Sequence, residues 1–266
     1  MLNKLKSQME FDRYELHELI PLQTPLVIYV EASSFCNLAC NFCPHHLDPD
    51  GLHKQNMTLE IFQKIIDDIN KFPHPLKMLR MCGTGDSTFN KKLPEMLEYA
   101  SSKRYFEKYE LISNGLLLND RLIDSMTSHL NRIIISIEGL TEEDYLKYTN
   151  RKINYNKFID KLIKLYDCKK SCKIHIKIHN NVVPTKKDQE IFFKRFEPIC
   201  DQIYIENLVD LWPDTDGSYV TSGNHRFTDD KPDKVNVCSQ IFKTMQINSD
   251  GSVIPCSIDW EAKNKI

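Results

Sequence analysis

Between residues 25 and 206, short apolar runs alternate with amphipathic stretches. Residues 25–31 (PLVIYVE), 76–82 (LKMLRMC), 109–113 (YELIS), 132–138 (RIIISIE), 173–180 (KIHIKIHN) and 202–206 (QIYIE) have the length and β-branched content of strands. Helical patterns fill the gaps. In 57–72, Phe62, Ile65, Ile66 and Ile69 share one face, and Thr58 is placed as N-cap. Further helices are predicted over 91–103, 119–130 behind Asn119, 141–149, 155–167 and 185–196. Thr141 with Asp144, and Thr185 with Asp188, have capping-box spacing. Such alternation builds a parallel sheet, because each crossover helix returns the chain to the same end. Right-handed crossovers let the sheet curl. The predicted fold class is α/β, a partial (β/α)6 TIM-like barrel with a small C-terminal β-hairpin extension.

The organisation follows from the same pattern. Residues 1–24 are a lead-in, 25–206 the barrel, 207–237 a polar, turn-rich linker, and 238–266 a tail. In the tail two short strands flank Asn248-Ser249-Asp250-Gly251, a hairpin signal.

Charge narrows the function classes. The 35 basic and 37 acidic residues nearly balance, so no electrostatic case for nucleic acid or a membrane surface arises. The apolar runs are strand-sized, too short to span a bilayer. The first 19 residues carry charges throughout, unlike a secretory signal, and the expected location is the cytoplasm. Thiols there stay reduced. The 9 cysteines (36, 40, 43, 82, 168, 172, 200, 238 and 256) are an odd number, which argues against a disulfide framework.

Three of those cysteines, Cys36, Cys40 and Cys43, stand together directly after the first predicted strand. In parallel α/β sheets functional groups gather at C-terminal strand ends. Structural zinc sites favour two short pairs of ligands. Here no second pair is near, although His45 or His46 could supply a fourth ligand. Three thiolates around an iron–sulfur cluster would leave one iron open to a small molecule.

CNLACNFC (36–43) resembles the CxxxCxxC motif of the radical SAM superfamily, with Phe42 as the aromatic residue before the last cysteine. The resemblance implies that Cys36, Cys40 and Cys43 bind a [4Fe–4S] cluster whose open iron chelates S-adenosylmethionine. One electron then cleaves the sulfonium to a 5′-deoxyadenosyl radical that abstracts hydrogen from a substrate. It also implies an external one-electron donor, such as flavodoxin or ferredoxin. Phe42 is expected to pack near the adenine. CGTGDSTFN (82–90) resembles the family's glycine-rich segment, which makes Gly83, Thr84, Gly85 and Asp86 candidates for the methionine amino group. Asp86-Ser87 stands where the family has Glu-Pro. ISNG (112–115) resembles the common TNG and nominates Asn114. SIEG (136–139) nominates Ser136 and Glu138 for the ribose or the methionine carboxylate. Asn180, with Asn181, is a weaker candidate after the fifth strand.

The tail resembles the opening of a SPASM/twitch extension: Cys238, a hairpin carrying Gly251, then Cys256. That implies a possible auxiliary iron–sulfur cluster with Cys238 and Cys256 as ligands. Such extensions have further cysteines, and none of the 10 residues after Cys256 is one, so a truncated or degenerate extension is expected. The substrate expectation is a small molecule or carbohydrate. A peptide- or protein-modifying maturase is one alternative, and a non-catalytic metal-binding interaction module is another.

Overall fold

Successive positions along the strands face opposite ways, and in this chain the two faces differ in chemistry. The computed structural model describes residues 16–52, 54–212, 217–220, 231 and 236–266. Its eight strands are β1 (Val27–Val30), β2 (Leu76–Met81), β3 (Phe106–Ser113), β4 (Arg132–Ile137), β5 (Lys173–His179), β6 (Gln202–Glu206), β7 (Thr244–Ile247) and β8 (Val253–Ile254). They form one sheet in the order β6-β5-β4-β3-β2-β1-β7-β8. All neighbours pair in parallel except β7 and β8.

The helices are α1 (Leu16–Leu19), α2 (Pro44–Leu47), α3 (Leu59–Ile69), α4 (Leu93–Lys103), α5 (Asp120–His129), α6 (Glu142–Thr149), α7 (Tyr155–Asp167) and α8 (Lys186–Phe196). The outward strand positions, such as Ile133, Ile135, Ile174 and Ile176, join Phe62, Met96, Phe158 and Phe192 of the helices in one buried apolar cluster. Each such side chain contributes about 1.5–3 kcal/mol by leaving water. The helix starts are fixed as their sequence suggests. Thr58, Asn119 and Thr141 each accept a hydrogen bond from the third residue on. Thr185 and Asp188 form the full reciprocal capping box. At α6 the box is only half made, because Asp144 accepts from Leu140 N instead.

The inward positions are polar. Tyr29, Arg80, Glu110 and Arg132 are register partners on four adjacent strands. The Glu110 carboxylate is 1 % exposed and is held by both guanidiniums, Arg80 on one oxygen and Arg132 on the other. A lone buried carboxylate would be costly, and paired donors are what make it tolerable.

Three features go beyond the sequence expectation. Strand β3 starts at Phe106, three residues before the predicted run, because Glu107 and Lys108 continue the ladder although their charges hide the pattern. Helix α2 follows the cysteine loop. The C-terminal hairpin is joined to the sheet, since β7 pairs along the whole of β1. The expected lead-in over 1–24 and linker over 207–237 lie largely outside the described residues. Among the described residues no helix is long and apolar enough to cross a membrane.

Candidate active site

The cysteine loop leaves the C-terminal end of β1 and is tied down on three sides. On one side Ala32 O accepts from Met57 N at 2.9 Å and from Asn90 Nδ2 at 2.7 Å. On the second, Ala39 N and Asn41 N donate to Thr149 O and Tyr148 O at 3.0 and 2.9 Å. Asn150, at a left-handed φ of 56°, adds a bond from its Nδ2 to Ala39 O at 2.8 Å. On the third, Asp86 N donates to Phe35 O at 2.9 Å.

The glycines after β2 serve that third contact. A Cβ on Gly85 would stand 2.5 Å from Ser33 O and 2.6 Å from Phe35 O, inside fixed backbone. One on Gly83 would stand 2.5 Å from the Glu31 side chain. Gly85 therefore lets the two loops pack backbone to backbone, and Gly83 leaves room for the Glu31 side chain. The Thr84 amide donates to Glu31 Oε1 at 2.8 Å, while Glu31 Oε2 accepts from Ser249 N of the hairpin tip at 3.2 Å. None of the carbonyls of Gly83, Thr84 and Gly85 accepts a hydrogen bond among the described residues. Asp86 is committed internally: its buried carboxylate accepts from Thr88 N, Thr88 Oγ1, Ser113 Oγ and Asn114 N at 2.6–2.9 Å. It joins the ends of β2 and β3 and has little capacity left for a ligand.

From β3, Asn114 reaches the cysteine loop, with Nδ2 2.9 Å from Asn37 Oδ1 and 3.8 Å from Cys36 Sγ. Gly115 follows at φ 75°, the left-handed turn that frees the Asn114 side chain to point back. A cavity of about 210 Å³ is lined by Phe42, Ser136, Glu138, Lys177, His179 and Trp212, among others. Glu138 and His179 are both buried in it, and Glu138 Oε2 lies 3.3 Å from His179 Nε2. Glu138 Oε2 and both His179 ring nitrogens have no hydrogen-bond partner among the described residues. Phe42 meets the His179 ring edge-on at 5.1 Å, and Tyr148 does so at 5.7 Å.

Residues 30–191 match the model of the Radical SAM superfamily, more than half of the chain. The chain belongs to the Radical SAM superfamily. Members of that superfamily use a [4Fe–4S] cluster and S-adenosylmethionine. The GTP 3′,8-cyclase of Aquifex aeolicus is 27 % identical over 181 residues, 65 % of this chain and 54 % of that protein. The match thus spans about half the length of that relative. The solved structure of native anSMEcpe with bound AdoMet has a TM-score of 0.64 at 18 % identity, covering 91 % of this chain and 77 % of the other. That of BtrN in complex with AdoMet and 2-DOIA has a TM-score of 0.54 at 13 % identity, covering 90 % and 76 %. These likenesses establish the partial TIM-barrel fold.

The radical SAM loop of this chain suits a [4Fe–4S] cluster. Its donors are three soft sulfurs on one anchored loop, all half-buried and unpaired. Two hydrogen-bond donors face one sulfur: Leu38 N at 3.5 Å and Asn114 Nδ2 at 3.8 Å from Cys36 Sγ. Burial and then the Asp86 charge push the Cys36 thiol up to about 12. Burial pushes Cys43 up to about 11, and burial with the Glu138 charge raises Cys40 well above an ordinary thiol. Without a cation the three sulfurs keep their protons. A positively charged core would reverse that balance, since coordination deprotonates a thiol outright.

Sequence reasoning missed Glu31 and His179. Glu31 ends a run read as strand, and nothing local shows that it would bridge two later loops. His179 could have been found from parity, because Lys177 and His179 alternate with buried isoleucines. Asn180 accepts from Leu208 N through its Oδ1 at 2.9 Å and so braces the segment after β6, at the edge of the cavity. Cys238 and Cys256 both sit at the open end of the β7–β8 hairpin. The parallel β1–β7 register puts that end at the level of Val27, at the opposite end of β1 from the cysteine loop.

Proposed function

We propose that this radical SAM enzyme cleaves S-adenosylmethionine reductively and uses the resulting radical on a small polar molecule, a carbohydrate or a similar polyol. When bound, the cluster held by Cys36, Cys40 and Cys43 supplies the electron for that cleavage. The carbonyls of Gly83, Thr84 and Gly85 are unpaired acceptors, and an ammonium donor is what they would take. Ser136, Glu138 and His179 supply polar contacts for hydroxyl groups, with Phe42 as an apolar wall. Asn114 orients the cysteine loop, while Asp86 and Asn180 hold the neighbouring loops in place.

The observation that carries the substrate reading is the inner face of the barrel. At the cluster end it presents Ser136, Glu138, Lys177, His179 and Glu206 to the cavity, with Lys177 and Glu206 ion-paired. An apolar substrate would leave such groups desolvated, whereas a polar one replaces their water. An auxiliary cluster at Cys238 and Cys256 is part of the proposal, with an external one-electron donor for the first cluster.

The substrate class is tested with a perdeuterated cell extract separated by size. Deuterium should enter 5′-deoxyadenosine when the small-molecule fraction is added to the reduced enzyme. Label arriving only from the macromolecular fraction would overturn the small-molecule reading in favour of a peptide or protein substrate.

A further inference from the structure

The barrel has a second mouth, at the N-terminal ends of its strands. A pocket of about 320 Å³ opens there, lined by Lys108, Glu110, Arg132, Ser171, Lys173 and His175, with Met78 at its side. It lies at the opposite end of the strands from the cysteine loop. Register places its basic residues together: Arg132 pairs with Lys173 across β4 and β5, and His175 follows Lys173 on the same face.

The charge in this pocket is unbalanced. Among the described residues that line it Glu110 is the only carboxylate, and both of its oxygens are taken, one by Arg80 and one by Arg132. Lys173 has only a distant partner, Asp201 at 3.7 Å, and Asp201 is already bound to Lys169 and to Ile174 N. The imidazole of His175 is 7 % exposed, and its Nδ1 has no hydrogen-bond partner among the described residues. Burial, then the Arg132 charge, lowers its pKa to about 4, so at neutral pH the ring is an uncharged donor and acceptor. A buried polar nitrogen without a partner is uncommon unless water or a ligand meets it.

We propose that this mouth is a second ligand site, taking the phosphate group of a small phosphorylated molecule on Arg132, Lys173 and His175. A guanidinium and an ammonium match a dianionic oxyanion, and each contact to it is a charge-assisted hydrogen bond. The imidazole contributes a neutral N–H to a third oxygen. The site is separate from the cluster face and does not depend on the proposed substrate.

The test is calorimetric titration of the full chain with inorganic phosphate and with a simple alkyl phosphomonoester, at constant ionic strength to hold screening fixed. Both should bind saturably at one site per chain. Lys173→Gln, at a position 63 % exposed and therefore harmless to the fold, should weaken both roughly tenfold, and His175→Gln by a similar factor. Lys152→Gln, away from the pocket, should change nothing. Cys40→Ala, which impairs the cluster face, should bind phosphate like the parent chain. Absence of saturable binding, equal binding by the pocket variants, or loss of binding in Cys40→Ala would overturn the assignment. So would binding of inorganic phosphate without the ester.

Discussion

Asn114 Nδ2 lies 3.8 Å from Cys36 Sγ, so the end of β3 donates toward the first sulfur of the cysteine loop. Hydrogen bonds to cluster sulfurs disperse their negative charge and favour the reduced state. Asn114→Ala should therefore make the midpoint potential of the reconstituted cluster more negative, as read by potentiometric titration followed by electron paramagnetic resonance. The loss of the 2.9 Å bond to Asn37 should cost about 1 kcal/mol in urea unfolding. An unchanged potential would remove Asn114 from the cluster's surroundings.

The two glycines after β2 should differ in their tolerance. A Cβ on Gly85 meets backbone of the cysteine loop, which cannot yield without moving Phe35. Gly85→Ala should cost about 1–3 kcal/mol and reduce the iron bound per chain after reconstitution. A Cβ on Gly83 meets the Cβ and Cγ of Glu31, a side chain and not the backbone of the cysteine loop, so Gly83→Ala should displace the Glu31 carboxylate and lower stability while reducing bound iron less than Gly85→Ala does. Equal effects would mean that backbone contact is not what the loop requires.

The six barrel strands, the helix caps and the cysteine loop were legible in the sequence because each is a local signal. Alternation in KIHIKIH, a Thr before α8 and three thiols in one loop need no knowledge of the rest of the chain. What was hidden depends on register between distant segments. Arg80, Glu110 and Arg132 meet only because β2, β3 and β4 pair in one register, and each looks like an ordinary surface charge in the sequence. Glu31 joins Thr84 to Ser249 across more than two hundred residues. The Gly-rich segment was read as a ligand contact, and the structure adds a reason the sequence could not show: its glycines face the cysteine loop. The hairpin was legible as a hairpin, but its place beside β1 is a long-range pairing.

The Glu110 bridge makes a stability prediction. Glu110→Gln leaves two partly buried guanidiniums without their shared carboxylate and should cost about 3–5 kcal/mol. Lys77→Ala, which breaks an exposed pair with Glu107, should cost less than about 1 kcal/mol. Urea midpoints of the two variants give the comparison, and similar values would show that the inner face does not stabilise the barrel through this carboxylate.

His175 makes a pH prediction. Its pKa falls from 6.5 in the unfolded chain to about 4 in the folded one. Between those values the unfolded chain binds a proton that the folded chain refuses, so acidification favours unfolding. The contribution is full above pH 6.5 and is lost as pH falls toward 4, with a span on the order of 3 kcal/mol. His175→Gln should flatten the stability curve over that window, measured by urea unfolding at pH 7 and pH 4.5. A parallel curve for the variant would contradict the buried neutral imidazole.

The most direct test of the account is the fate of S-adenosylmethionine. The chain is reconstituted anaerobically with iron and sulfide, reduced with dithionite and given S-adenosylmethionine, and 5′-deoxyadenosine is quantified by mass spectrometry. The account predicts 5′-deoxyadenosine from the parent chain and none above background from Cys40→Ala. A parent chain that binds a full cluster and S-adenosylmethionine, yet yields no more 5′-deoxyadenosine than Cys40→Ala, would contradict it.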